Sequence, residues 1–143
     1  MSLPLAERTV QAVRVAINES FRRYWCCDDI AWQNDPFDPA DLDEFVRFSI
    51  VHVAGASGPA GIESGAVKRF RRGGLVTVQV FTRGNSGLAR SDELVEKALL
   101  FFEAEEPVAG AWYRDPSPAE APGDGVWRQV NVTAALTYET LRA

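Results

Sequence analysis

The stretch LVTVQVF, residues 75–81, is where the reading of the fold begins. Val76, Val78 and Val80 alternate with Thr77 and Gln79. That period of two places β-branched apolar side chains on one face of a strand and polar ones on the other. The segment before it, KRFRRGG (68–74), packs four cations into five positions ahead of a glycine pair and reads as a charged lead-in to the strand. The segment after it, TRGNSG (82–87), reads as a turn.

Upstream, FVRFSIVHV (45–53) repeats the pattern, with Val46, Phe48 and Ile50 opposite Arg47 and Ser49. Two half-buried strands require a layer on one side only, and two helical patterns supply it. Residues 4–24 set Val10, Val13, Ile17, Phe21 and Tyr24 at steps of three and four. After Ser91 or Asp92, read as an N-cap, come Leu94, Val95, Ala98, Leu99, Phe101 and Phe102, with Pro107 as the stop.

Between these elements, WQNDPFDP (32–39) leaves regular structure after a short strand ending at Trp32. GASGPAGIESG (55–65), with four glycines and a proline, reads as a loop between strands. Residues 108–114 suggest a weak strand, PSPAEAPGDG (116–125) a loop, and 126–140 a closing strand. The order predicts one α+β domain over residues 1–143: a mostly antiparallel mixed sheet with two helices packed on one face.

The net charge is −5, which argues against a dedicated nucleic-acid-binding module, since those collect excess Lys and Arg over a whole face. The charge is unevenly spread. Residues 28–44 carry seven acids (Asp28, Asp29, Asp35, Asp38, Asp41, Asp43, Glu44) and no base, whereas 68–90 carry six bases (Lys68, Arg69, Arg71, Arg72, Arg83, Arg90) and no acid. Separated patches of opposite sign are one way in which identical subunits find each other head to tail. The alternative is two solvated loops.

Little in the chain points to catalysis. His52 is the sole histidine and falls on the Val46–Phe48–Ile50 face, the place of a packed or rim side chain. No nucleophile and base can be paired from spacing. Asp35, Asp38 and Asp41 do not match a calcium loop, and neither glycine-rich stretch matches a phosphate-binding fingerprint, so no metal or cofactor is expected. Cys26 and Cys27 are adjacent, which sterically disfavours a loop-closing disulfide between them and suits a reducing compartment. No membrane span or signal peptide is legible, so synthesis in the cytoplasm is expected.

The sequence of pieces resembles the tail terminator proteins of long-tailed bacteriophages. The likeness runs through the N-terminal helix, WQNDPFDP (32–39), FVRFSIVHV (45–53), RFRRGGLVTVQVFTRGNSG (69–87), the helix from Ser91 to Glu103, and VWRQVNVTAALTYE (126–139). Its most specific part is the arginine–glycine turn running into the VTVQVF strand. The resemblance implies a non-enzymatic virion protein of the tail. Its partners would be further copies in a ring, by family habit a hexamer, the tail tube protein on one side, and a head–tail connector or neck protein on the other, with DNA only as cargo through the hole. A head-completion or neck ring protein is the nearest alternative, and a small nucleic-acid-binding module a more distant one. The candidate interface or lumen residues are Lys68, Arg69, Arg71, Arg72 and Arg83, with Asp35, Asp38 and Asp41 as their acidic counterparts.

Overall fold

The computed structural model describes residues 9–25, 29–53, 58–63, 67–104 and 111–142. Elements follow in the order α1 (Val10–Trp25), β1 (Ile30–Trp32), β2 (Glu44–His52), β3 (Gly58–Glu63), β4 (Val67–Arg83), α2 (Ala89–Ala104), β5 (Trp112–Ala121) and β6 (Trp127–Arg142). The strands form one sheet in the order β1-β2-β4-β6-β5, with β3 pairing β4. Only β1 and β2 run parallel; every other pairing is antiparallel. The expected α+β class, with a mostly antiparallel mixed sheet and the helices on one face, is what the chain adopts.

The sheet is organised by the β4–β6 ladder, which is continuous from Lys68–Arg142 to Arg83–Trp127. Along its other edge, β4 changes partner. Residues 74–82 pair with β2 and residues 67–71 with β3. The change falls at the glycine pair, where a Cβ on Gly74 would lie 2.8 Å from the Val51 carbonyl oxygen. Only a residue without a side chain lets β2 pass so close.

Alternation along the ladder defines two faces. Val46, Phe48 and Ile50 of β2, Val76, Val78 and Val80 of β4, and Val132, Ala134, Leu136 and Tyr138 of β6 are buried under the helices. α1 contributes Val13, Ile17, Phe21 and Trp25, and α2 contributes Leu94, Ala98, Phe101 and Phe102. Phe21 is the hub, stacked on Phe48 at 4.2 Å and meeting Phe101 edge-on at 5.1 Å. Aromatic pairs of this kind add about 0.5–1.5 kcal/mol each to the area they bury. The two helices are tied to each other where Tyr24 Oη donates to the Lys97 carbonyl at 2.9 Å and Lys97 Nζ lies 4.2 Å over the Trp25 ring.

Several sequence expectations need correction. The helix read from residue 4 begins at Val10: Thr9 is its cap, its Oγ1 accepting the Ala12 amide at 3.1 Å. Residues 4–8 lie outside the described residues. The second helix starts at Ala89, before Ser91 or Asp92, because the Leu88 carbonyl already accepts the Asp92 amide at 2.9 Å; Pro107 lies outside the described residues.

The cations Lys68–Arg72 do not precede a strand but belong to β4 itself. Within the stretch read as a glycine loop, residues 58–63 form β3, with a register shift between Pro59 and Gly61. Backbone pairing satisfies that segment although its side chains carry no period. PSPAEA, read as loop, lies in β5, where a register shift between Arg114 and Ser117 and a positive φ of 53° at Asp115 absorb the irregularity. Prolines are tolerated there because β5 is the edge of the sheet.

Candidate functional site

With both helices on one side, the other face of the sheet carries the odd-numbered residues of β2, β4 and β6. Its two ends differ. At the end reached by Arg83, residues 37–42 fold against the face. Phe37 approaches Phe45 at 5.1 Å, Phe45 stacks on Phe81 at 4.5 Å and meets Trp127 edge-on at 5.0 Å. Arg83 lies 4.1 Å over the Trp127 ring and donates from Nε to the Leu42 carbonyl and from a terminal nitrogen to the Ala40 carbonyl, both at 2.9 Å. Phe45 is buried as a result. This apparatus holds Asp38 and Asp41 out at the rim, where both are exposed; Asp38 Oδ1 accepts the Ala40 amide at 3.1 Å.

At the opposite end no described element covers the face. Val51 pairs with Leu75, Leu75 with Ala135 and Ala135 with Arg114 across four strands. The next row runs from Val53, whose amide donates to the Gly73 carbonyl at 3.2 Å, through Thr137 to Trp112. Val51, Leu75 and Trp112 are 53%, 41% and 42% exposed. Eight large apolar side chains are exposed among the described residues, and four of them, Val51, Val53, Leu75 and Trp112, share this one area. Clustering of that kind marks an interaction surface, where singly scattered residues would need no explanation.

The basic stretch is divided by the pleat, as alternation requires. Arg69 and Arg71 lie on the bare face and approach Glu139, at 3.3 and 3.9 Å; Arg71 remains largely in solvent. Arg72 lies on the helix side, donating from Nε to Thr140 Oγ1 at 3.2 Å with its guanidinium 5.7 Å from the Phe70 ring. Lys68 shares Arg72's face and is exposed. Arg83 is not brought together with them: it sits at the far end of β4, about 40 Å away at ~3.3 Å per residue. Asp35 is separated from Asp38 and Asp41, lining a cleft of about 300 Å³ with Arg14, Asn18, Arg22 and Trp32. No three His, Cys, Asp or Glu residues converge on a metal-sized site among the described residues.

His52 stands at the rim of the helix side. Its Nε2 lies 2.8 Å from Tyr138 Oη, and its Nδ1 lies 3.4 Å from an Arg14 terminal nitrogen. Burial, then the positive charges of Arg14 and Arg72, hold its pKa below the usual imidazole value, and burial pushes the Tyr138 phenol up.

The bare area was not among the residues singled out from sequence, though part of its signal was present. Leu75 falls on the polar side of the β4 alternation, in phase with Thr77 and Gln79, and Val51 does the same in β2. Two apolar residues on the polar faces of paired strands are the trace of such a surface.

No family model matches the chain, and no curated protein matches it. Among the solved structures that match, one with a serial designation for a name is similar over 87% of this chain and 94% of its own, with a TM-score of 0.58 and 17% identity. That likeness concerns the fold. No helix among the described residues is long and apolar enough to cross a membrane.

Proposed function

We propose that this chain is a ring-forming structural subunit of the tail-terminator type. It caps the finished tail tube of a virion, blocks addition of the next tube subunit and offers its other side to the head or neck. The observation that carries this reading is the sheet face left uncovered by the helices, with its apolar band at one end and carboxylates held out at the other. A chain with such a face works by shape and repeated contact. Its localisation would be the tail end facing the head, with DNA passing through the hole.

The order helix, short strand, long strands, helix and closing strands supports this reading. Electron microscopy of the purified chain is expected to show closed rings with a central hole, sixfold by family habit. Added to polymerising tube subunits of the same particle, the rings should cap tubes and stop their growth. Tubes that elongate unhindered, together with binding to portal complexes, would point to a neck or head-completion ring. A chain that forms no rings would overturn the reading.

A further inference from the structure

We propose that the bare end of the open face is a socket for a second copy of this chain, and that residues 37–42 at the other end of the same face are the plug. The inference rests on the ring reading above and specifies its contact.

The socket is the band Val51, Val53, Leu75 and Trp112, bordered by Arg71 and Arg114. Both guanidiniums are exposed, and Arg114 makes no ion pair among the described residues. The plug offers Asp38 and Asp41, both exposed and neither in an ion pair among the described residues. It is already ordered. Phe37 packs on Phe45, and Arg83 holds the Ala40 and Leu42 carbonyls. A preformed plug loses little conformational freedom on docking.

Within one molecule plug and socket cannot meet, because Arg71 and Arg83 mark opposite ends of β4, about 40 Å apart at ~3.3 Å per residue. The complementary surface must therefore come from another copy. A two-fold contact of socket on socket would gather four guanidiniums, Arg71 and Arg114 of each copy, on one interface, a concentration of like charge that disfavours it. Plug into socket is instead heterologous: each copy uses one of each, and the chain of contacts closes when the rotation per subunit divides a circle. The apolar band supplies affinity and the charges supply register and orientation.

The test uses two variants of the full chain, each checked for an unchanged far-ultraviolet circular dichroism spectrum. Leu75→Glu spoils the socket and keeps the plug; Asp38→Arg with Asp41→Arg spoils the plug and keeps the socket. Each alone is expected to be monomeric in analytical ultracentrifugation at concentrations where the native chain is a ring. Mixed in equal amounts, they should give a heterodimer and nothing larger, because one intact plug and one intact socket remain. Should Leu75→Glu fold poorly, Val51→Lys, at a more exposed site, replaces it. Adding Arg71→Glu and Arg114→Glu to the plug variant should recover assembly, each restored pair worth on the order of two- to fivefold in affinity. Socket variants that still form native rings, or a mixture that stays monomeric, would overturn the plug-and-socket contact while leaving the ring itself standing. A native chain that is monomeric throughout would remove both.

Discussion

The two ends of the β4–β6 ladder present the same ingredients on the open face, arginines beside large apolar side chains, and the chain treats them in opposite ways. At one end Phe37 of its own segment 37–42 packs on Phe45, which in turn stacks on Phe81 and meets Trp127, and Arg83 is used inside the molecule on a ring and two carbonyls. At the other end, Val51, Leu75 and Trp112 stand uncovered beside Arg71 and Arg114. The cover at the first end is encoded in cis. Under the plug-and-socket proposal, the second end takes its cover in trans.

The largest effect that sharpens this contrast comes from the layer both ends share. Phe101 is fully buried against Phe21, Phe48 and Phe102, so Phe101→Ala should cost about 3–5 kcal/mol in denaturant unfolding. Leu75→Ala, measured at a dilution where the chain is dissociated, should change stability by less than about 0.5 kcal/mol. A Leu75 loss approaching that of Phe101 would mean that the open face is covered within the chain after all.

Gly74→Ala is expected to come next, at about 1–3 kcal/mol, because the new methyl would meet backbone at 2.8 Å and not a flexible side chain. Its neighbour Leu75 provides the contrast, so a neutral Gly74→Ala would deny that the partner change between β2 and β3 constrains the glycine pair.

A smaller effect separates the two sets of arginines. Arg83→Ala removes two hydrogen bonds and a stacked ring contact, and thermal unfolding should report a loss of about 1–3 kcal/mol. Arg71→Ala should stay within about 0.5 kcal/mol. Equal losses at the two positions would erase the distinction between an arginine used in cis and one held for another copy.

The order in which these differences were legible follows from physics. The two central strands and the helix faces were readable because alternation and the 3.6-residue period report burial directly. β3 was not, and β5 only at its start, within the weak strand read over 108–114, since Gly58–Glu63 lacks a side-chain period and Trp112–Ala121 carries Pro116 and Pro118; both are held in the sheet by backbone pairing with a strong neighbour. The cations at 68–72 were visible, but their division between faces depends on their being inside β4 and not ahead of it. Arg114 and Trp112 fell in the weak strand read over 108–114, but their place on the open face depends on pairing with Ala135 and Thr137, which that stretch alone does not reveal.

The smallest predicted effect is a pH dependence on the helix side of the same end. His52 has a folded-state pKa below its ordinary value of 6.5, so protonation favours the unfolded chain. Its contribution is therefore fully present above that value and is lost as the pH falls through it toward the lowered pKa. Thermal melts from about pH 7.5 down to about pH 5 should show a slightly steeper decline for the native chain than for His52→Gln, the effect being small because the ring is mostly exposed. Identical slopes would show that the Arg14–His52–Tyr138 cluster does not register the imidazole charge.

The contrast between a covered and an uncovered end is tested most directly by the mass of the native chain in solution, measured by light scattering over a range of concentrations. A closed oligomer of one size, several times the mass of the chain, is the expected result. A single chain at every concentration, with Trp112 fluorescence unchanged throughout, would contradict the claim that the bare face is covered by another copy.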